Sequence, residues 1–131
     1  LFIVSKHKKI MISPHIIKFA ADTSNYGIQK KSNYIATKKN RSCGDKITVE
    51  VVVKKKIIKK MNYETESCVF CQASASLLSK SIKNKDKNKL EAILDVAIKN
   101  KNFRKLLANK GRVNCIMLPF EALQKAIYNT K

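Results

Sequence analysis

The sequence predicts an α+β domain in which a three-stranded antiparallel sheet carries helices packed on one of its faces. Over residues 46–53 apolar and polar side chains alternate, and a period of two is typical of a strand that is buried on one face. After residue 67 apolar side chains recur instead at the spacing of an amphipathic helix. Because strands and helices are segregated along the chain, we expect α+β packing.

A short helix and a first strand are predicted in the N-terminal part of the chain. Ser13, Pro14 and the apolar positions up to residue 21 indicate a helix with an N-cap serine and a proline in its first turn. Turn-forming residues at 22–27 end this helix. We expect the first strand at residues 34–37.

Two further strands form the strongest β signal. Residues 46–53 are predicted as one strand, three lysines at 54–56 as a charged turn, and residues 57–64 as the next strand. Strands joined by so short a link are antiparallel neighbours. In the first of these strands Ile47, Val49, Val51 and Val53 share one face, with Thr48 and Glu50 on the other. In the second, one face carries Ile57, Lys59, Met61 and Tyr63, and the opposite face carries Ile58, Lys60, Asn62 and Glu64.

The rest of the chain is predicted to be helical. Ser67 is a candidate N-cap for a helix that runs to about residue 83. Apolar periodicity predicts further helices over residues 90–98 and 103–107, with Gly111 placed to end the latter. Pro119 is predicted to lie in the first turn of the last helix.

Length and composition favour one domain. A chain of 131 residues with 44% hydrophobic content can bury one core, so we expect a single domain over residues 13–131 and an N-terminal extension over residues 1–12, with Met11 as a candidate natural start. The apolar residues 1–4 are too few for a signal peptide, and no run approaches the length of a membrane span. A cytoplasmic protein without membrane association is the expectation.

The formal charge of +19 taken alone suggests a polyanion as partner. However, the lysines are dispersed along the whole chain, and only Arg41, Arg104 and Arg112 are arginines. A surface that binds phosphates more often groups arginines with aromatic residues. A basic nucleic-acid-binding module is therefore the least favoured of three functional hypotheses.

Four cysteines carry the candidate chemistry, and in a cytosolic chain cysteines are more often metal ligands or reactive groups than disulfides. Cys43 precedes Gly44 and Asp45 at the start of the strongest strand, where a glycine turn lets thiol and carboxylate project from one loop. The alternative is a loop cysteine and a turn aspartate without a role.

Cys68 lies at the start of a predicted helix, where the macrodipole favours a thiolate. Cys71 follows on the same helix face, as half a zinc site, one thiol of a redox pair, or a small buried residue. Cys115, before the predicted last helix, is either a ligand or a core residue. Since Cys43, Cys68 and Cys115 each lie at the edge of an element, they can meet at one end of the domain.

These motifs resemble a known family. Cys43-Gly44-Asp45, then Cys68 with the block 72–76 (Gln-Ala-Ser-Ala-Ser), then Cys115 with Leu118 and a following helix, are similar to the three cysteine motifs of IscU/NifU/SufU scaffold proteins for iron–sulfur cluster assembly. The resemblance covers roughly residues 16–127. It implies the IscU/NifU N-terminal or SufE-like fold, which agrees with the architecture predicted above.

The resemblance also implies a function and its residues. Cys43, Asp45, Cys68 and Cys115 would bind iron or a transient 2Fe-2S cluster, or alternatively zinc, and Cys115 would accept sulfane sulfur. The partners would be a cysteine desulfurase and apo forms of iron–sulfur acceptor proteins, and the role that of a scaffold or carrier and not of an enzyme. The alternative is a zinc-bound sulfur-transfer protein of the SufU type.

The sequence departs from the family pattern at three places. Asn114 stands where IscU proteins often have histidine and SufU proteins lysine. Residues 109–113 replace the Leu-Pro-Pro-Val-Lys stretch to which the chaperone binds, so transfer through an Hsp70-type chaperone is not expected. Cys71 occupies a position that is usually Ala or Ser, and is a candidate extra ligand in place of the missing histidine. These departures suggest a divergent NifU-like branch.

Overall fold

A computed structural model describes residues 13–41 and 44–129 of the chain. The predicted extension over residues 1–12 and the predicted ligand Cys43 lie outside these residues. The helices and strands, in chain order, are α1 (Pro14–Ala21), β1 (Tyr34–Lys39), β2 (Lys46–Lys54), β3 (Ile57–Glu66), α2 (Val69–Ser81), α3 (Leu90–Ile98), α4 (Lys101–Leu107) and α5 (Val113–Tyr128), with short 3-10 helices at Lys87–Lys89 and Lys110–Arg112.

The three strands form one antiparallel sheet in the order β1-β2-β3, which confirms the predicted meander and the α+β class. The β2–β3 link is one residue shorter than predicted, because Lys54 belongs to β2. Lys55 and Lys56 have φ of 50° and 69°, and positive φ at both central residues is what a two-residue type I′ turn requires. Lysine seldom adopts a positive φ. The backbone twist of a type I′ turn matches the twist of the two strands, and this favours the turn in spite of the two lysines.

The first half of β3 differs from the prediction. Ile58 was predicted on the face opposite to Met61, but both residues are fully buried. The β2–β3 register shifts between Val52 and Val53, and such a bulge inserts one residue into the alternation of side chains. Ile58 and Met61 therefore both face the core.

The helices pack on one face of the sheet, as predicted. Ile47, Val49 and Val51 on β2 are fully buried. α5 packs against β1 and β2, α2 packs against β3 and α5, and α1 packs against α2. The predicted N-cap of α1 is also confirmed, since Ser13 accepts the backbone N–H of Ile16 at 3.4 Å. No helix in the described part of the chain is long and apolar enough to span a bilayer.

The alternation predicted that the face of the sheet opposite the helices is open to solvent, but at Glu50 this face is buried. Glu50 is fully buried, and its carboxylate accepts backbone N–H groups from Gln29, Lys31 and Ser32 at 2.9, 2.6 and 3.2 Å. Burial acts to raise the pKa of Glu50, but these hydrogen bonds outweigh it and the pKa is lowered. The connection between α1 and β1 is thus fixed across the sheet by one carboxylate.

Three predicted boundaries in the helical half are wrong by a few residues. Cys68, not Ser67, is the N-cap of α2, and the helix ends at Ser81. α4 ends at Leu107, and Gly111 lies in the following 3-10 helix instead of ending α4.

The largest boundary error concerns the last helix. α5 begins at Val113, so Pro119 lies inside the helix and not in its first turn. A proline inside a helix removes one hydrogen bond and costs about 3 kcal/mol. Cys115, Ile116 and Leu118, which precede it, are all buried, and burying their side chains offsets that cost. Cys115 therefore lies in the first turn of a helix and not in a loop.

Candidate metal centre

Asp45 is held at the entrance of β2. Gly44 has φ of +75°, a left-handed conformation that glycine adopts without a steric penalty. The backbone N–H of Gly44 donates to the Asn40 carbonyl at 2.8 Å, and the Asn40 N–H donates to the Asp45 carbonyl at 2.8 Å. These two hydrogen bonds close the turn, and the side chain of Asp45 is buried.

Cys68 lies at the same end of the sheet because of the hairpin register. Lys46, the first residue of β2, pairs with Glu66, the last residue of β3, so Asp45 and Cys68 extend past the same edge. The Cys68 backbone N–H donates to Asp45 Oδ1 at 3.2 Å, and Cys68 Sγ lies 3.7 Å from Asp45 Oδ2. The carboxylate therefore also holds the start of α2.

Cys115 reaches this end of the sheet through α5. It is the third residue of the helix and is buried. The Ser74 hydroxyl on α2 donates to the Ile116 carbonyl at 2.6 Å, so the first turns of α5 are bound to α2. Cys68 and Cys115 both lie at helix N-termini, so the positive ends of two helix macrodipoles are directed at this end of the sheet.

Three potential ligand atoms thus converge on one point. One carboxylate oxygen of Asp45 and the Sγ atoms of Cys68 and Cys115 all lie within 4.8 Å of one another. Two ligands of a tetrahedral metal stand roughly 3.6 Å apart, so small side-chain rotations bring the three atoms onto one ion. The structure therefore assembles three of the four predicted ligands, and Cys43, next to Gly44 in sequence, is outside the described residues.

Cys71, predicted as a candidate extra ligand, stands outside this group of three. It is fully buried, and its Sγ lies 3.9 Å from Thr65 Oγ1 on β3. Burial raises the pKa of Cys71 to about 12. Its thiol is therefore protonated near neutral pH, unlike a metal-binding thiolate. Asn114, which directly precedes Cys115 in the sequence, is exposed.

The sequence prediction missed Arg112 and Phe70. Arg112 is the N-cap of α5, and its Cζ lies 6.0 Å from the ring centroid of Phe70, two residues after Cys68. Its Nε is buried and has no hydrogen-bond partner within the described part of the chain. The macrodipole opposes a cation at a helix N-terminus, so negative charge near Cys115 would stabilise Arg112. The signal available in the sequence was that Arg112 is an arginine in a chain whose other basic residues are mostly lysines.

Sequence comparisons identify the family. The model of the NifU-like N-terminal domain matches residues 11–131. The iron–sulfur cluster assembly scaffold protein IscU of Thermotoga maritima is 28% identical in an alignment of 133 positions, gaps included, which covers 91% of this chain and 94% of that protein. An uncharacterised protein of Borreliella burgdorferi is 25% identical in an alignment of 120 positions, which covers 82% of this chain and 84% of that protein.

Solved structures share the fold. A protein from Fervidobacterium islandicum attributed to cluster assembly in the SUF system has a TM-score of 0.74 at 23% identity, over 88% of this chain and 96% of that one. The N-terminal part of a NifU-like protein from Brucella abortus also gives 0.74, at 20% identity, over 88% and 90% of the two chains. Since the family model covers nearly the whole sequence, the chain belongs to the NifU-like N-terminal domain family.

Proposed function

We propose that this protein is an iron–sulfur cluster assembly scaffold in which Asp45, Cys68 and Cys115, together with Cys43, bind iron and a transient 2Fe-2S cluster. The observation that carries the proposal is the convergence of three ligand atoms from distant parts of the chain within 4.8 Å. Thiolates are soft ligands that select iron–sulfur clusters and zinc. The cluster is cargo, so the protein acts as a carrier and not as a turnover enzyme.

The sulfur of the cluster arrives on Cys115 as a persulfide, donated by a cysteine desulfurase. Cys115 lies in the first turn of α5, and its Sγ is within 4.8 Å of the Cys68 and Asp45 ligand atoms. A sulfur atom bound there is delivered directly beside the other ligands. Apo forms of iron–sulfur proteins then take the finished cluster, and the cytoplasm is the compartment in which reduced thiols fit this role.

The electrostatics of the site support an anionic cargo. Arg112 caps α5, and its buried Nε has no partner among the described residues. A cluster bound by thiolates and a carboxylate carries net negative charge, which attracts both this guanidinium and the N-termini of α2 and α5. The cost of placing a cation at a helix N-terminus is thereby offset when the site is loaded.

Anaerobic reconstitution tests the proposal. With ferrous iron and sulfide, the wild-type protein is expected to develop the visible absorbance and circular dichroism of a 2Fe-2S cluster, which a chelator removes. Stoichiometric zinc in the protein as purified, together with sulfur acceptance but no cluster, would instead favour the zinc-bound sulfur-transfer alternative. Failure to bind either metal contradicts both.

Asp45→Cys is expected to slow the transfer of the cluster to an apo acceptor about tenfold or more. A hard carboxylate is a weak partner for iron in a sulfur-rich site, whereas a fourth thiolate binds it more tightly. Transfer is followed by circular dichroism with an apo-ferredoxin as acceptor. Asp45→Asn is the matched control, because it keeps an oxygen for the Cys68 N–H without adding a thiolate. Equal transfer rates for wild type and Asp45→Cys would contradict the role of Asp45 in release.

A further inference from the structure

We propose that Cys68 and Cys71 form a redox pair in which the Cys71 thiol releases sulfide from a persulfide carried on Cys68. The inference rests on the proposed function, because sulfane sulfur must first reach the metal centre. It assigns a role to the one cysteine of α2 that stands outside the group of three ligand residues. That role is reduction: a persulfide holds sulfur at the level of S⁰, whereas a cluster contains sulfide.

The positions of the two cysteines place both side chains over the first turn of α2. Cys68 is the N-cap with extended φ and ψ of −72° and 167°, and Cys71 is the third residue of the helix. In a capping box the side chain at each of these two positions reaches the backbone N–H of the other, so residues placed like this are within reach of one another. Cα atoms three residues apart at a helix start are about 5 Å apart, within the range that a disulfide spans.

The surroundings of the two thiols differ as the two roles require. Cys68 is partly exposed, and its Sγ lies within 4.8 Å of Cys115 Sγ, so it can receive sulfur from that residue. Its backbone is already held by Asp45. Cys71 is fully buried and faces the Thr65 hydroxyl at 3.9 Å. An external oxidant therefore reaches Cys68 more easily than Cys71. The Cys71 thiol stays reduced and is available to react with the persulfide on Cys68.

The chemistry balances without a further oxidant. The Cys68 thiolate first attacks the outer sulfur of the Cys115 persulfide; the Cys115 Sγ–S bond breaks and Cys115 leaves as a thiolate. The Cys71 sulfur, whose proton passes to the leaving sulfide, then attacks Cys68 Sγ. The bond between Cys68 Sγ and the sulfane sulfur breaks, and a Cys68–Cys71 disulfide and HS⁻ form. Two thiols are oxidised by two electrons while the sulfane sulfur is reduced to sulfide.

The disulfide withdraws Cys68 from the metal centre until a dithiol reductant restores both thiols. Sulfide release and metal binding by Cys68 are therefore successive events in one cycle. A variant without Cys71 depends on an external thiol to reduce the persulfide.

The test loads reduced protein with inorganic polysulfide, removes the excess by gel filtration, and measures sulfide released without added thiol. Wild type is expected to release sulfide and to form the disulfide within the tryptic peptide of residues 61–80, which contains Cys68 and Cys71 and neither of the other cysteines. That peptide loses the mass of two hydrogen atoms. Cys71→Ala is expected to keep its persulfide and to release sulfide at least tenfold more slowly.

Loading with polysulfide requires no desulfurase and no iron, so this result is independent of the reconstitution that tests the scaffold function. Far-UV circular dichroism and thermal unfolding establish that Cys71→Ala is folded, and Cys71→Ser provides a polar substitute of similar size. Release by Cys71→Ala at the wild-type rate would overturn the inference. Wild type that forms a Cys68–Cys115 disulfide in place of the intrapeptide one, or Cys71→Ala that holds no persulfide after loading, would overturn it as well.

Discussion

Replacing Cys115 by alanine is expected to lower the affinity of the site for Zn²⁺ by at least about a hundredfold, and Cys68→Ala should have the same effect. Each removes one of three ligand atoms that lie within 4.8 Å of one another. Loss of a residue that only supports a metal ligand already costs 10- to 100-fold in affinity, so loss of a ligand costs more. Competition with a chromophoric zinc chelator measures the change.

Cys71→Ala is the matched control for these variants. It also removes one thiol from the same region, but from outside the group of three. We expect its affinity for Zn²⁺ to stay within about threefold of wild type, since Cys71 is not one of the three ligand residues and its Sγ lies against Thr65 on β3 instead of supporting a ligand. If Cys71→Ala loses zinc while Cys115→Ala keeps it, the site is assigned to the wrong thiols.

The sheet and the convergence at its end could be predicted from the sequence because both follow from local patterns. The alternation around Val49 determines which side of β2 faces the core, and the two-lysine link determines that β3 lies antiparallel to it. Once the hairpin register is fixed, Asp45 and Cys68 must lie at the same edge. The sequence therefore predicted their proximity without any knowledge of side-chain positions.

The features that were missed depend on contacts between distant segments. The bulge that brings Ile58 into the core has no glycine or other local signal. The start of α5 at Val113 was not predicted, because proline is favoured in the first turn of a helix and Pro119 therefore indicated a later start. Packing of α5 against α2 and the sheet stabilises the earlier start. Arg112 is the N-cap of α5 because of that earlier start.

Glu50 is the clearest case of a distant contact, and Glu50→Gln is expected to lower the free energy of unfolding by about 2–4 kcal/mol. The carboxylate accepts three backbone N–H groups in a fully buried position. Hydrogen bonds to a charged group contribute about 1.5–3 kcal/mol each, and a buried donor without an acceptor is costly. The glutamine amide has one acceptor oxygen, and its NH₂ group faces backbone donors. Urea unfolding followed by circular dichroism measures the change.

Glu64→Gln is the matched control, because Glu64 is exposed and accepts a single backbone N–H, that of Ile28 in the same connection. Its substitution should cost less than about 1 kcal/mol, since solvent screens an exposed charge and replaces a lost hydrogen bond. Equal losses for the two variants would show that burial of Glu50 contributes nothing to stability.

The pH dependence of the same variant separates charge from packing. Because the pKa of Glu50 is lowered in the folded protein from its ordinary value of 4.5, the unfolded chain binds the proton first, and the contribution of the carboxylate is fully present above pH 4.5. It is lost as the pH falls through the lower pKa of the folded state. The stability difference between wild type and Glu50→Gln is therefore expected to be constant near neutral pH and to shrink below pH 4.5. A difference that persists unchanged into strong acid would mean that the glutamine disturbs packing, and that the charge of Glu50 does not hold the connection between α1 and β1.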